Sequence, residues 1–83
     1  MNGVKTIDVR GLGLGEKQKM IFPQIDALQE GETARIIVEF NPLPLVALMR
    51  VRRGFSVVYE KEGPDEWIVR ISRIAPKKNN TNE

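Results

Sequence analysis

The chain has 83 residues, enough for one small domain, and it contains no cysteine and no histidine. Thiolates and imidazoles are therefore excluded as nucleophiles, metal ligands or general bases. Lys and Arg (13) barely outnumber Asp and Glu (11), and a net charge of +2 gives little reason to expect nucleic-acid binding. No apolar run reaches the ~18 residues that a membrane span needs, and the N-terminus lacks the apolar segment of a signal peptide, so we expect a cytoplasmic protein and no membrane contact.

The chain begins with a short predicted strand and a glycine-rich link. Residues 5–10 (KTIDVR) alternate in polarity, with Ile7 and Val9 on one face. The three glycines of the link occupy alternate positions, namely Gly11, Gly13 and Gly15. Glycine tolerates a positive φ, so the simplest interpretation of the link is a tight turn. Asp8 and Arg10 flank this turn, and we expect them to form an ion pair that holds it.

A first helix is predicted over residues 16–31, because apolar residues recur there at helical spacing. Its apolar stripe consists of Ile21, Ile25 and Leu28. Gly31 is the predicted end of the helix. Pro23 lies inside the helix and removes one backbone hydrogen bond, so we expect a bend or an irregular first turn.

The strongest strand pattern is TARIIVEF, residues 33–40. Ile37 makes its middle apolar on both faces, which is typical of a central strand. The following segment, residues 41–54, predicts a second helix with Asn41 as its N-cap and Gly54 as its end. Its predicted buried stripe consists of Leu45, Leu48 and Met49.

The last predicted element is a hairpin over residues 55–74, with its turn at residues 62–65. Trp67 alternates in phase with the apolar residues of the second strand, so we expect a half-buried sheet residue. Residues 75–83 are polar and predict a disordered tail, which leaves a single domain over residues 1–74. The order β-α-β-α-β-β predicts an α/β two-layer sandwich, with two helices on one face of a four-stranded mixed sheet.

A glycine-rich link between a strand and a helix is also a place where phosphates bind, since free helix N–H groups favour anions. The pattern G-x-G-x-x-G fails here because Glu16 stands where the third glycine belongs, and G-x-x-x-x-G-K-[ST] has no match. Glu16 would also compete with a bound anion. An enzyme acting on an anionic small molecule at this link is therefore the weakest hypothesis, and we expect no catalytic residue, no metal and no cofactor.

The segment DVRGLGLGEK resembles the opening of the small sulfur-carrier proteins of the TusA/SirA type. Their motif Gly-Leu-x-Cys-Pro-x-Pro lies at the same strand-to-helix junction, and Gly11 and Leu12 match it. Leu14 stands at the position of the cysteine, while Gly15 and Lys17 replace the prolines. In that family the cysteine carries a persulfide, which leucine cannot do. The resemblance therefore implies the TusA/SirA-like fold without its sulfur relay.

Four segments resemble an uncharacterised, cysteine-poor sister family of these carriers, a domain of unknown function: DVRGL, IFPQIDALQEGE, NPLPL and EGPDEWIVRISR. The resemblance covers residues 7–73. The sister family often has an Asp-His-Asp-Pro-like run before the second helix, which suggests a polar site. Glu39, Phe40 and Asn41 stand there in this chain, so that site lacks its histidine.

We expect the working surface at the glycine-rich link and the start of the first helix, because relatives in the carrier family meet their partners there. The predicted partner-binding residues are Arg10, Gly11, Leu12, Gly13, Leu14, Gly15, Glu16, Lys17 and Lys19. The resulting hypothesis is a small non-catalytic protein-binding or adaptor domain for an unidentified protein partner.

A basic cluster supports the alternative hypothesis, an RNA- or nucleic-acid-binding module. Its residues are Arg50, Arg52 and Arg53 at the end of the second predicted helix, grouped with Lys61. The helix dipole itself favours cations at this end, which explains the arginines without a ligand. The chain also has only one Trp, one Tyr and three Phe, too few for a surface on which bases stack.

Overall fold

The computed structural model describes residues 3–76, and its elements follow the predicted order β-α-β-α-β-β. The strands are β1 (Val4–Asp8), β2 (Thr33–Val38), β3 (Phe55–Glu62) and β4 (Trp67–Arg73). The helices are α1 (Leu14–Asp26) and α2 (Leu43–Val51). The predicted tail lies outside the described residues from residue 77 onward.

The four strands form one mixed sheet in the order β1-β2-β4-β3. β1 pairs with β2 in parallel, and β4 runs antiparallel to both β2 and β3. This sheet with two helices confirms the predicted fold class. It also confirms the central position of β2, which lies between β1 and β4.

The hydrophobic core lies between the two helices and one face of the sheet. The sheet and the residue after β1 contribute Ile7, Val9, Ala34, Ile36, Val38, Val69 and Ile71. The helices and the turn after α1 contribute Ile21, Ile25, Leu28, Val46 and Met49. The opposite face carries charged side chains instead, and Arg35 reaches across β4 to the Glu60 carboxylate at 2.7 and 2.9 Å. Because strand side chains alternate, one face of the sheet is apolar and the other is mostly polar, with the neighbours Ile37 and Ile68 forming an apolar pair on it.

Helix α1 differs from its prediction at both ends. It begins at Leu14 rather than at residue 16, so Gly15 is helical and Gly13 is the N-cap with φ −68°. Of the three glycines in the predicted link, only Gly11 has a positive φ, 84°. The helix ends at Asp26 rather than at Gly31, and Pro23 stays inside it.

The reason for the early end of α1 lies in the turn that follows it. The Glu32 carboxylate accepts the backbone N–H of Gln29 at 2.7 Å, and the Glu32 N–H donates to the Gln29 carbonyl at 3.0 Å. These two bonds satisfy backbone groups that a longer helix would have paired internally. Leu28 is fully buried in this turn, so it belongs to the core without belonging to the helix.

Helix α2 begins one residue later than predicted and ends at Val51 rather than at Gly54, and its buried side agrees with the prediction only in part. Its N-cap is Pro42, whereas the side-chain oxygen of Asn41 accepts the Tyr59 hydroxyl at 2.6 Å.

Met49 is buried as predicted and Leu45 is half-buried against the core, but Val46 enters the core in place of Leu48, which is 45% exposed. Val46 and Met49 lie three residues apart and share the core-facing side, whereas Leu48 lies about 200° from Val46 around the helix and lines the cleft described below.

The β3–β4 hairpin is confirmed, with a β-bulge between Tyr59 and Lys61. Its turn contains a cis peptide bond between Gly63 and Pro64, and the Gly63 N–H donates to the Glu66 carbonyl at 3.0 Å. Trp67 is half-buried as predicted, and packs edge-to-face on Tyr59 with 6.0 Å between the ring centroids.

Candidate functional site

The turn after β1 is fixed by a chain of ion pairs. Arg10 Nη2 lies 2.6 Å from Asp8 Oδ2, which confirms the predicted pair, and Arg10 Nη1 lies 2.9 Å from Glu66 Oε2. Hydrogen bonds from the Arg10 side chain and backbone lower the pKa of Asp8 from 3.8 to about 2. Lys61 completes the chain, with its Nζ 2.7 Å from Glu66 Oε1. The end of β1 is thereby tied to the β3–β4 hairpin.

A second pair, Lys17 and Glu39, joins the same turn to the end of β2. Glu39 Oε2 accepts the Gly11 N–H at 2.9 Å, and this bond is the main cause that lowers the pKa of Glu39. Lys17 Nζ donates to the Leu12 carbonyl and to Glu39 Oε2, the latter at 3.2 Å. Glu39 Oε1 lies 3.1 Å from the ammonium without the alignment of a hydrogen bond. The pair therefore combines one hydrogen bond with the attraction of opposite charges.

Lys17 is 5% exposed, although the sequence places it among the partner-binding residues. Its aliphatic stem stands at helical spacing with the buried Ile21 and Ile25, so it continues the apolar stripe of α1. Its ammonium group reaches Glu39 at the end of β2. Lys17 thus stabilises the turn after β1 from inside the protein, and almost none of its surface is accessible to a partner.

An open apolar cleft of about 200 Å³ lies beside this pair, between the start of α1, the end of β2 and the first turns of α2. The residues that line it are Leu14, Lys17, Gln18, Ile21, Phe22, Val38, Phe40, Pro42, Pro44, Leu45 and Leu48. Leu14 is 68% exposed, Phe40 46% and Leu48 45%. Three large apolar side chains exposed around one cleft are typical of a binding surface rather than of ordinary solvent-facing residues.

The start of α1 leaves little room for an anion. Glu16 Oε1 accepts the N–H of the N-cap Gly13 at 3.1 Å, so a carboxylate lies at this helix end, where its charge opposes a bound anion. Leu14 is the first helical residue and extends its side chain away from the core. The predicted residues Arg10, Gly11, Gly13, Leu14, Gly15, Glu16 and Lys19 are exposed, and Leu12 is half-buried.

Phe40 and Glu39 are the site residues whose roles the sequence did not predict. Phe40 lies 5.2 Å from Lys17 Nζ, measured to the ring centroid, and forms one wall of the cleft. A signal was present in the alternation of β2, which continues past Val38 to Phe40 on the core-facing side. The helices leave that position uncovered, which no local pattern reveals.

The structure does not bring the four residues of the basic cluster together. Arg52 lies 3.4 Å from the Asp26 carboxylate and 5.0 Å from the centroid of the Phe55 ring, while Arg50 and Arg53 are exposed. Lys61 lies near the other end of β3, roughly 20 Å away at the usual rise of a strand, and binds Glu66. Lys61 therefore does not belong to the basic cluster, which is limited to the three arginines.

Two further observations concern the described residues. Within residues 3–76, no three or more Asp or Glu side chains are grouped so that they could hold a metal ion. Neither helix in this part of the chain has the length and apolarity needed to cross a lipid bilayer.

Comparison with known proteins gives one family. The family model described as "Uncharacterized conserved protein (DUF2249)" matches residues 6–73, which include the second half of β1, the turn after it, the cleft and the other three strands. Comparisons with curated proteins and with solved structures give no match.

Proposed function

The chain belongs to the uncharacterised conserved family DUF2249, and from this premise we propose that it is a small non-catalytic protein-binding or adaptor domain. It meets its partner at the surface formed by the turn after β1, the start of α1 and the apolar cleft. We also propose that it works in the cytoplasm and shares its origin with the TusA/SirA-type sulfur carriers.

The observation that carries this proposal is the apolar cleft with its exposed rim. Small-molecule pockets usually enclose ~300–1,000 Å³. A cleft of about 200 Å³ is smaller, and suits one or two apolar side chains of a partner protein. Interfaces obtain most of their binding energy from a few such side chains seated in pockets, surrounded by polar contacts. Here the exposed Gln18 supplies a polar group at the edge of the cleft.

Leu14 gives the proposal its link to the sulfur carriers. Under the resemblance it replaces the carrier cysteine, at the first residue of α1 and beside the cleft. A leucine keeps an apolar contact there while it removes the thiol. Lys17 is the ionisable residue in the lining of the cleft, and its ammonium group is bound by the Leu12 carbonyl and by Glu39. A lysine held in this way is not free to act on a substrate, so the cleft favours binding over catalysis.

Site-specific photo-cross-linking tests the proposal. A photoreactive phenylalanine analogue replaces Leu14 in one variant and Val58 in a matched control, since Val58 is 50% exposed on the opposite face of the sheet. Both proteins are irradiated in a cell lysate depleted of nucleic acid. We expect a defined protein to be captured at position 14 and not at position 58, and its purified form to lose affinity for Leu48→Asp.

Two outcomes would contradict the proposal. One is capture of the same proteins at both positions, because contact would then be unspecific. The other is binding of RNA that falls steeply with salt and is lost in Arg52→Ala, because phosphate contacts release counterions. That second result would favour the nucleic-acid hypothesis.

A further inference from the structure

The end of β4 holds a buried arginine that has no carboxylate partner within residues 3–76. Arg73 is 8% exposed, and its Nε donates to the Leu28 carbonyl at 2.7 Å. The ion pairs in this part of the chain are formed by other basic side chains and leave Arg73 out. Burying a charge without a counterion is costly in free energy. An anion from outside the chain would therefore be stabilised beside Arg73.

The outer edge of the Arg73 guanidinium reaches solvent. A guanidinium has five N–H groups, and the Leu28 carbonyl accepts only the one on Nε. Among the described residues, the four N–H groups on Nη1 and Nη2 have no acceptor, and Glu39 Oε1 is the one buried side-chain nitrogen or oxygen without a partner. Both Nη atoms of Arg73 therefore touch solvent. Arg73 thus presents free donors at the surface on a stem that the core holds in place.

A second guanidinium lies beside the first, against the same aromatic ring. Phe55 pairs with Arg73 across β3 and β4, and the Cζ atom of Arg73 lies 4.4 Å from the centroid of the Phe55 ring. The Cζ atom of Arg52, the C-cap of α2, lies 5.0 Å from the same centroid. The two guanidinium groups are therefore within a Debye length of each other, ~10 Å at 0.1 M salt, and their charges repel.

Asp26 compensates this positive charge only weakly. Its carboxylate lies 3.4 Å from Arg52 Nη2, and its side chain is 61% exposed. Exposed ion pairs of this kind contribute little to stability. The helix dipole adds about half a negative charge at the end of α2, which is also less than the two positive charges. The surroundings of the Phe55 ring therefore keep an excess of positive charge.

We propose that Arg52 and Arg73 form a binding site for a phosphate dianion, either inorganic phosphate or a phosphate monoester. The planar fork of a guanidinium matches the oxygen atoms of phosphate. Two positive charges also match a dianion better than they match a single carboxylate. The contacts with Phe55 and Leu28 orient Arg73 before the anion binds, which lowers the entropy cost of binding.

This phosphate site is separate from the apolar cleft. Ser72, the neighbour of Arg73, pairs with Thr33 at the start of β2, whereas the cleft is lined by Val38 at the end of β2. The inference therefore goes beyond the proposed protein partner and does not depend on it. Because two side chains at the surface form the site, we expect weak binding, with a dissociation constant between about 0.1 mM and about 10 mM.

NMR titration of the full chain with sodium phosphate tests the site. The titration is done at about pH 8, where phosphate is mostly a dianion, and the ionic strength is held constant with sodium chloride. We expect saturable shifts of the Arg73 Nε–H signal and of the backbone amides of residues 52–55. The absence of saturable shifts up to about 10 mM phosphate would overturn the proposal.

Four variants show which side chains bind the anion, and their amide spectra show that they are folded. Arg52→Gln and Arg73→Lys should each raise the phosphate dissociation constant at least about tenfold, because each removes a guanidinium fork. Asp26→Asn should lower it about two- to fivefold, because a competing carboxylate is lost. Arg70→Gln is the control with the same charge change as Arg52→Gln, since Arg70 pairs with Glu60 on the other face of the sheet. An equal effect of Arg70→Gln and Arg52→Gln would overturn the proposal.

Two organic phosphates identify the source of the anion. Tighter binding of methyl phosphate than of inorganic phosphate would assign a monoester, and the reverse order would assign free phosphate; either result supports the site. Dimethyl phosphate carries one charge, as does each phosphate of a nucleic-acid backbone. We expect it to bind at least about tenfold more weakly than the dianions. Equally tight binding of dimethyl phosphate would overturn the proposal in favour of a nucleic-acid contact.

Discussion

Truncation of Leu14 tests whether this side chain belongs to the binding surface or to the core. Leu14 is 68% exposed, so about a third of it is buried. Burying a whole leucine contributes ~1.5–3 kcal/mol, and a third of that is roughly 0.5–1 kcal/mol. Alanine regains a few tenths of a kcal/mol through its higher helix propensity. Leu14→Ala should therefore lower the free energy of unfolding by less than about 1 kcal/mol.

Leu28→Ala is the matched comparison, because the same side chain is fully buried there. Its loss leaves a cavity in the core and should cost ~2–5 kcal/mol. Urea unfolding of the wild type and both variants gives the free energies, and similar m-values make them comparable. A loss of about 2 kcal/mol or more in Leu14→Ala would refute the reasoning, since Leu14 would then be a core residue and not free to contact a partner.

Four further variants test the turns and the start of α1. Gly11→Ala should cost ~1–2 kcal/mol in urea unfolding because its φ is 84°. Gly63→Ala should cost more than Gly11→Ala, because its φ is 65° and the added Cβ would lie 2.9 Å from the Trp67 indole; equal losses would contradict the close packing of that ring. The pKa of Asp8 is about 2 in the folded chain and ordinarily 3.8, so its carboxylate stabilises the fold above about pH 4 and this contribution is lost as the pH falls towards 2. In Asp8→Asn the free energy of unfolding, measured by urea unfolding at each pH, should fall less between about pH 4 and about pH 2 than in the wild type. The same pH dependence in the two proteins would contradict the ion pair. Leu14→Cys should give a thiol whose pKa lies below ~8.5, measured from the pH dependence of its alkylation rate, because the first residue of a helix favours the thiolate; a higher value would contradict that placement.

The sequence predicted the elements well where one physical signal dominated. Alternation identified the strands, and the doubly apolar middle of β2 indicated its central place in the sheet. The helix boundaries were less predictable, because they depend on competing hydrogen bonds. Glu32 captures the backbone of Gln29, and this local turn ends α1 before the glycine that would otherwise stop it.

Only the part of the site that is formed by one continuous segment of the chain was predictable from the sequence. The turn after β1 and the position of Leu14 follow from a continuous segment, and the Asp8–Arg10 pair was found from it. Lys17 contacts Glu39, which is distant in sequence, and a charged residue on an apolar stripe looks solvent-exposed until its partner is known. The direction of β3 likewise separates Lys61 from the arginines, which proximity in sequence cannot reveal.

The most direct test of the proposed function is a calorimetric titration with the protein that cross-links at position 14. Wild type, Leu14→Asp and Arg52→Ala are compared at low and high salt. We expect Leu14→Asp to weaken binding at least about tenfold, because a buried, unpaired carboxylate is costly. Arg52→Ala should bind like the wild type at both salt concentrations. Unchanged affinity of Leu14→Asp together with loss of binding in Arg52→Ala would contradict the account, because the partner would then bind at the arginines rather than at the cleft.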